Sequence, residues 1–293
     1  MKTKQLKKLR PNNKQEKHSK KGGSNSAFFL TTNTMNTNSL LILGSNSAIP
    51  NIHRFTTSQI ININGINNLI DCGEGAQIRM LSKGVKINSI DNIYISHLHG
   101  DHFFGLVGLI STMNMQSRRQ PLHIYCPDKL KEIIEMQLDA SLTELQFECS
   151  YTLTDPNEPQ LITKAQDFEV YSVPLSHRIP TTGFFFKSTM RNKPFRYAFI
   201  SDTIYKPDII PVIKDATIIY HEATFTEEFR RQAIEKFHST AKDAANIAKM
   251  TNAERLLIGH FSKRFYDTSV LVNEAKEVFE NTIAIEDEME IAL

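Results

Sequence analysis

The chain has 293 residues, with 34 Lys and Arg against 32 Asp and Glu, ten His, three Cys and no Trp. That length and 40 % apolar content suffice for one large domain or two small ones, and no apolar run approaches the ~18–20 residues that crossing a bilayer requires. The net charge of +2 hides a division: residues 1–26 carry nine basic side chains against Glu16 alone, a charge of +8, which leaves −6 on residues 27–293.

Residues 1–38 read as a basic N-terminal tail. Its first 26 residues contain two Leu and no other large aliphatic or aromatic side chain besides Met1, too little apolar surface to repay ordering, so disorder is expected. Asn, Gln, Ser and Gly follow the basic start where a secretory signal would place an apolar core. The tail reads either as a polycation that holds nucleic acid or as the product of an early start codon, since Met35 lies four residues before the first strand. Cys72, Cys126 and Cys149 are odd in number and lack metal-finger spacing, which fits a reducing, cytoplasmic setting.

Residues 39–293 read as one domain. Leu40–Leu43 is a buried strand ending at Gly44, and strands Gln59–Ile63 and Asn67–Ile70 flank an Asn64-Gly65 hairpin turn. A helix over Ala76–Lys83 closes at Gly84. Strand Asn92–Ser96, helix Phe103–Met115, strand Leu122–Tyr125 and helix Lys129–Ala140 follow. Further strands are expected at Leu145–Ser150, Phe168–Val173, Gly183–Lys187 and Arg196–Ile200. The last third alternates again: strand Thr217–Tyr220, helices Thr226–Phe237 and Ala241–Met250, strand Arg255–Ile258 and helix Val270–Asn281. Meandering strands that then alternate with helices indicate an α/β protein in which two sheets carry helices outside, an αββα sandwich. No internal repeat is visible.

The densest chemistry lies in Ser96-His97-Leu98-His99-Gly100-Asp101-His102. His97 and His99, two apart on extended chain, project to one side, and Gly100 is expected to permit the sharp turn that brings Asp101 and His102 to the same point. Imidazole nitrogen and carboxylate oxygen suit a borderline metal such as zinc. Further ligands should come from other strand ends: His177 follows Val173-Pro174-Leu175, Asp202 follows the strand ending at Ile200, and His260 follows Leu257-Ile258-Gly259. Two metals ~3.5–4 Å apart form a site for in-line phosphoester displacement. A departing alkoxide needs a proton, and His238, with Glu222 to orient it, is the candidate donor.

These residues resemble a known family. HxHxDH is shared across the metallo-β-lactamase superfamily, whereas Asp71-Cys72-Gly73-Glu74-Gly75-Ala76-Gln77, Ser176-His177-Arg178, Ser201-Asp202-Thr203, His221-Glu222-Ala223-Thr224-Phe225, His238-Ser239-Thr240 and Gly259-His260-Phe261-Ser262-Lys263-Arg264 resemble ribonuclease Z, the tRNA 3′-end-processing endonuclease. Leu43-Gly44-Ser45, with Pro50 and Arg54 downstream, belongs to the same set, and the blocks follow the family's order. The resemblance implies two zinc ions, one held by His97, His99 and His177, the other by Asp101, His102 and His260, with Asp202 bridging them. It implies attack by a bridging hydroxide with Asp101 as base, leaving-group assistance from His238 and Glu222, a homodimer, and removal of the 3′ trailer of precursor tRNA to leave a 3′-hydroxyl. His18, His53, His123 and His221 match no metal role.

One departure bears on substrate. Members with full tRNA activity carry a long arm between the positions of His177 and Asp202, where this chain has only 24 residues, among them the two expected strands Gly183–Lys187 and Arg196–Ile200. Phosphodiester hydrolysis on cyclic nucleotides or other small esters is therefore the alternative, and an RNA-binding protein with a relict site is a third reading. The basic side chains near the site are few: Lys187, Arg191, Lys193 and Arg196 around the short turn, and Lys263 and Arg264 beside His260.

Overall fold

Strands form where apolar side chains alternate between two buried environments. Along Leu40-Leu41-Ile42-Leu43, Leu40 and Ile42 enter one core and Leu41 and Leu43 another, so this strand is covered on both faces and shows no polar alternation. In the computed structural model, residues 38–190 and 194–293 are described. The basic tail, together with Arg191 and Lys193, lies outside the described residues apart from Asn38.

The strands in chain order are β1 (Ser39–Gly44), β2 (Ser58–Ile63), β3 (Ile66–Ile70), β4 (Ile90–Tyr94), β5 (Leu122–Cys126), β6 (Cys149–Leu153), β7 (Gln160–Lys164), β8 (Phe168–Pro174), β9 (Thr182–Ser188), β10 (Arg196–Ile200), β11 (Ile218–Glu222), β12 (Arg255–Gly259), β13 (Thr282–Ala284) and β14 (Glu290–Ala292). They form two seven-stranded sheets, ordered β14-β1-β2-β3-β4-β5-β6 and β13-β12-β11-β10-β9-β8-β7. The helices are α1 (Ala76–Ser82), α2 (Gly100–Phe103), α3 (Leu106–Met115), α4 (Leu130–Ala140), α5 (Ile210–Ile213), α6 (Arg230–Lys236), α7 (Ala241–Met250) and α8 (Ser269–Lys276). Aromatic side chains such as Tyr94, Phe184, Phe186, Tyr197, Phe199 and Tyr220 fill the space between the sheets. Met80, Leu109, Met113 and Ile134 pack helices onto the first sheet, and Ala244, Ala248, Leu271 and Ala275 do so on the second. The architecture is the αββα sandwich of the metallo-β-lactamase fold.

The two sheets share a plan that is not visible as a sequence repeat. Each runs through three antiparallel pairings and then three parallel ones: β14-β1-β2-β3 then β4-β5-β6, and β7-β8-β9-β10 then β11-β12-β13. In this correspondence β3 matches β10. Asp71, just after β3, and Asp202, two residues after β10, both take a left-handed backbone with φ 54°, a conformation Asp tolerates better than most residues.

Several elements differ from the sequence expectation. The helix expected over Phe103–Met115 is broken between α2 and α3, where Gly105 lies so close to the chain that a Cβ would stand 2.3 Å from the Gly73 carbonyl oxygen. The strand expected at Leu145–Ser150 begins only at Cys149, because Phe147 turns into the first sheet's outer core beneath the Arg118 guanidinium. The helix expected over Val270–Asn281 stops at Lys276, and the chain then enters β13. At Gly100 the chain turns by opening α2, which carries Asp101 and His102, and the missing side chain leaves room for the Phe104 ring.

Gly44 shows how tightly the β1 end is built, since an added Cβ would lie 1.8 Å from the Thr56 carbonyl oxygen, whereas Gly108 on α3 faces open space. Gly44→Ala is expected to destabilise the fold by about 1–3 kcal/mol or more, and Gly108→Ala to stabilise it by about 0.5–1 kcal/mol. Thermal and urea unfolding of the two variants should therefore shift in opposite directions.

Candidate metal centre

The polar residues singled out in the sequence gather where strands from both sheets end on one side, the location where α/β proteins bind ligands. Ile95-Ser96-His97 continues from β4, and α2 carries Asp101 and His102. His177 follows β8, Asp202 follows β10, Glu222 ends β11, and His260 follows β12 with φ 57°. Thr182 N–H donates to the Ser96 carbonyl across the sheets at 3.0 Å, which fixes the two halves of the site against each other.

Two sets of ligand atoms face the two oxygens of Asp202. On one side, His97 Nε2, His99 Nδ1 and His177 Nε2 converge, with His99 Nδ1 3.0 Å from His97 Nε2 and 3.1 Å from His177 Nε2. Asp202 Oδ2 lies 3.6 Å from both His97 Nε2 and His177 Nε2. On the other side, Asp202 Oδ1 is 3.1 Å from His260 Nε2 and 3.3 Å from His102 Nε2. Asp101 Oδ2 completes this group at 3.5 Å from His102 Nε2 and 3.6 Å from His260 Nε2. Bonds of ~2.0–2.2 Å in a tetrahedral shell separate neighbouring ligand atoms by about 3.3–3.6 Å, within a few tenths of an ångström of the observed 3.0–3.6 Å.

Hydrogen bonds on the far side of the rings select the lone pairs. His102 Nδ1–H donates to Asp71 Oδ2 at 2.7 Å, and the same carboxylate accepts from Ser96 N and Oγ. His97 Nδ1–H reaches Ser96 Oγ at 3.0 Å, His177 Nδ1–H the Phe237 carbonyl at 2.8 Å, and His260 Nδ1–H the Thr224 hydroxyl at 2.9 Å. With Nδ1 carrying the proton, the neutral form of each ring turns its Nε2 lone pair into the cluster. His102 Nε2 and His260 Nε2 are buried and have no hydrogen-bond partner, as ligand atoms awaiting a cation would be. The donor set fits metal ions. Burial opposes charge on Asp202, but His260, His102 and His97 outweigh it and hold its carboxyl well below the usual range.

His238 and Glu222 form a second unit beside the cluster. Glu222 is fully buried, and its Oε1 accepts from Thr203 N at 2.7 Å and His238 Nδ1 at 2.9 Å, while Oε2 accepts from Thr224 Oγ1 at 2.6 Å. Burial alone would lower the His238 pKa, but the Glu222 carboxylate outweighs it and raises the imidazole to about 9. Thr224 therefore joins the two units: its single proton goes to Glu222, so its oxygen is free to accept from His260. The neighbouring residues divide the remaining work. Ser239 Oγ donates to the Thr203 carbonyl at 2.6 Å, and Thr240 caps α7 in a reciprocal box with Asp243.

All nine candidate residues come together: His97, His99, Asp101, His102, His177, Asp202, Glu222, His238 and His260. Asp71, Ser96, Thr224 and the Phe237 carbonyl carry roles that the sequence reading did not assign. Asp71 was visible only as part of a block, and the Phe237 carbonyl offers no side-chain signal at all. His123 is exposed and hydrogen-bonds Ser150 Oγ; His221 is buried, with Nδ1 donating to the Glu222 carbonyl; His53 is exposed, and His18 lies outside the described residues. A cavity of about 460 Å³ opens over the cluster, lined by Arg178, Lys236 and His238 among others.

The family described as "Anti-Pycsar protein Apyc1" matches residues 38–279. Ribonuclease Z of Phocaeicola vulgatus is 36 % identical over 297 residues, covering 86 % of this chain and 96 % of that protein. Ribonuclease Z of Porphyromonas gingivalis strain W83 is likewise 36 % identical, over 87 % of this chain and 99 % of that protein. Among solved structures, the short form of human tRNase Z superposes with a TM-score of 0.75 at 30 % identity, covering 86 % of this chain and 98 % of that one. A chain that matches these proteins over nearly their whole length, with the same blocks drawn into one metal-binding cluster, is a member of the ribonuclease Z family on the metallo-β-lactamase fold and belongs also to the family described as anti-Pycsar protein Apyc1.

Proposed function

We propose that the protein is a dinuclear zinc phosphodiesterase of the ribonuclease Z type that removes the 3′ trailer from precursor tRNA. The observation that carries this reading is the coupling of two ligand groups on one carboxylate, Asp202, to a buried Glu222–His238 pair at the rim of the same cavity. His97, His99 and His177 would hold one ion, Asp101, His102 and His260 the second, with Asp202 shared. Two zinc ions held there would activate water and offset charge on the phosphoryl oxygens.

The chain's own groups do the rest. Asp101, whose Oδ2 is fixed by the Ala48 N–H at 2.7 Å, takes the proton of the attacking water. The water oxygen bonds to phosphorus as the bond from phosphorus to the 3′-oxygen breaks. His238, held by Glu222 through Nδ1, delivers the proton on Nε2 to that departing oxygen, which leaves a 3′-hydroxyl on the tRNA and the phosphate on the trailer. Arg178 and Lys236 border the cavity without a carboxylate within 4 Å among the described residues, so both are available to phosphate. We also propose a homodimer acting in the cytoplasm, as the family resemblance implies; among the described residues, no helix is long and apolar enough to cross a membrane.

A second reading, a small or cyclic phosphodiester as substrate, is favoured by the β9–β10 connection. Only residues 189–195 separate these strands, which leaves no room there for a tRNA-gripping arm. The match to the Phocaeicola protein spans 297 positions yet takes in only 86 % of this 293-residue chain, so that relative carries segments with no counterpart here.

Metal-loaded protein should cut a precursor tRNA at the 3′ end of the tRNA body. Hydrolysis of bis(p-nitrophenyl) phosphate and a cyclic nucleotide with the precursor left whole would transfer the assignment to the second reading. Asp202→Ala should lose metal along with activity, and full metal content measured by atomic absorption in that variant would falsify its bridging role. His238→Ala should retain both metals and slow turnover by about 10²–10⁴-fold; turnover at the parent rate would remove it from the mechanism.

A further inference from the structure

A second cavity, of about 510 Å³, adjoins the one over the metal cluster and shares with it the side chains of Lys236 and His238. The volume is in the range that takes a nucleotide-sized ligand. Its walls differ from those of its neighbour. The metal-cluster cavity is lined by Glu74, Asp101 and Asp202 as well as by cations, whereas this one is bordered by Lys236, Lys263 and Arg264 and by no carboxylate. None of these three cations has a carboxylate within 4 Å among the described residues. Its apolar wall is Ile49, which is 53 % exposed, with Phe225 beneath. The Arg264 guanidinium stands 5.2 Å from the Phe225 ring centre and 4.5 Å from that of Phe229, and donates to Gln232 Oε1, so a planar cation is fixed at the cavity edge.

The position of His238 gives the cavity a direction. In-line displacement sends the leaving oxygen away from the attacking water, and the imidazole that protonates it stands on the leaving side. The nucleoside bearing that oxygen must therefore lie on the His238 side of the scissile phosphate. The acid-free cavity begins at His238.

We infer that this cavity is the subsite for the nucleoside on the leaving-group side of the scissile phosphate, its base against Ile49 and Phe225 and its own 5′-phosphate near Lys263 and Arg264. The inference rests on the RNA-cleaving reading above. A cyclic mononucleotide presents a single phosphate and no neighbouring nucleotide, so Lys263 discriminates between the two substrate classes: it adds affinity only where a second phosphate exists. Apolar and ionic contacts of this kind, unlike hydrogen bonds to base edges, are tolerant of base identity.

The test uses the full, metal-loaded chain on a short RNA that carries the cleavage site, with an abasic residue placed immediately 5′ or immediately 3′ of the scissile phosphate. The 5′ replacement is expected to lower kcat/KM about tenfold, and the 3′ replacement to change it less than twofold. In Ile49→Ala the penalty for the 5′ abasic residue should shrink, because the wall it would contact is already lost. Lys263→Gln should lower the ratio of kcat/KM for RNA to that for bis(p-nitrophenyl) phosphate and reduce the salt dependence of RNA binding by about one ion. A larger penalty on the 3′ side, or a 5′ penalty undiminished in Ile49→Ala, overturns the subsite while leaving RNA cleavage in place. Failure of the parent protein to cut any of the RNAs defeats the RNA reading itself, and the subsite falls with it.

Discussion

A single buried carboxylate sets the terms for the rest of the molecule. Asp202 is 2 % exposed and faces imidazoles on both sides. A charge in that position is tolerable only where opposite charge and hydrogen bonds replace the lost water. Much of the surrounding structure can be understood as meeting that requirement. Three strand ends deliver histidines to it, a left-handed backbone aims it, and the groups behind each ring fix which nitrogen points inward. Ser201 Oγ adds a hydrogen bond to Oδ1 at 2.9 Å. The same logic repeats one layer out at Glu222, which is buried without exposure and satisfied by Thr203, Thr224 and His238. The cluster and His238 are thus held by one connected set of buried polar groups, in which a half-satisfied member is costly.

Much of this was legible in the chain before its fold was seen. HxHxDH states its chemistry because four ligand-bearing residues lie within six positions, and His177, Asp202 and His260 stand out as the first such side chains after apolar runs. Strand β10 and helix α7 lie at the residues expected of them, since Arg196–Ile200 is a compact apolar run and Thr240 announces a helix start. The strands β13 and β14 were not foreseen: three residues each carry no periodicity, and they are held by pairing with β12 and β1 rather than by local preference. Nor could the chain alone disclose that Phe237, in a left-handed conformation, would lend its carbonyl to His177. Every residue has a carbonyl, and only the fold says where it points.

Charge distribution ties the site to its substrate. The whole chain is close to neutral, yet the cations near the site are arranged with purpose: carboxylates stay with the metal-binding cluster, and Lys236, Lys263 and Arg264 border the space beyond His238. The short β9–β10 connection removes one means of gripping a large RNA, so affinity for a polyanion has to come from groups at the cavity itself or from the +8 of residues 1–26.

The matched plan of the two sheets has a further consequence. Asp71 and Asp202 occupy corresponding strand ends with the same backbone angle, yet one stands behind His102 as a strut and the other stands between the two groups of ligand nitrogens. The scaffold is therefore close to a symmetric frame with an asymmetric load. Its geometry places a buried carboxylate within two residues of the end of each matching strand, and the loops that follow each strand, rather than the strands, decide which becomes the hub and which the brace. Functional divergence on such a frame can proceed by exchanging loops at one rim, with both sheets and the layer of aromatic rings between them left untouched.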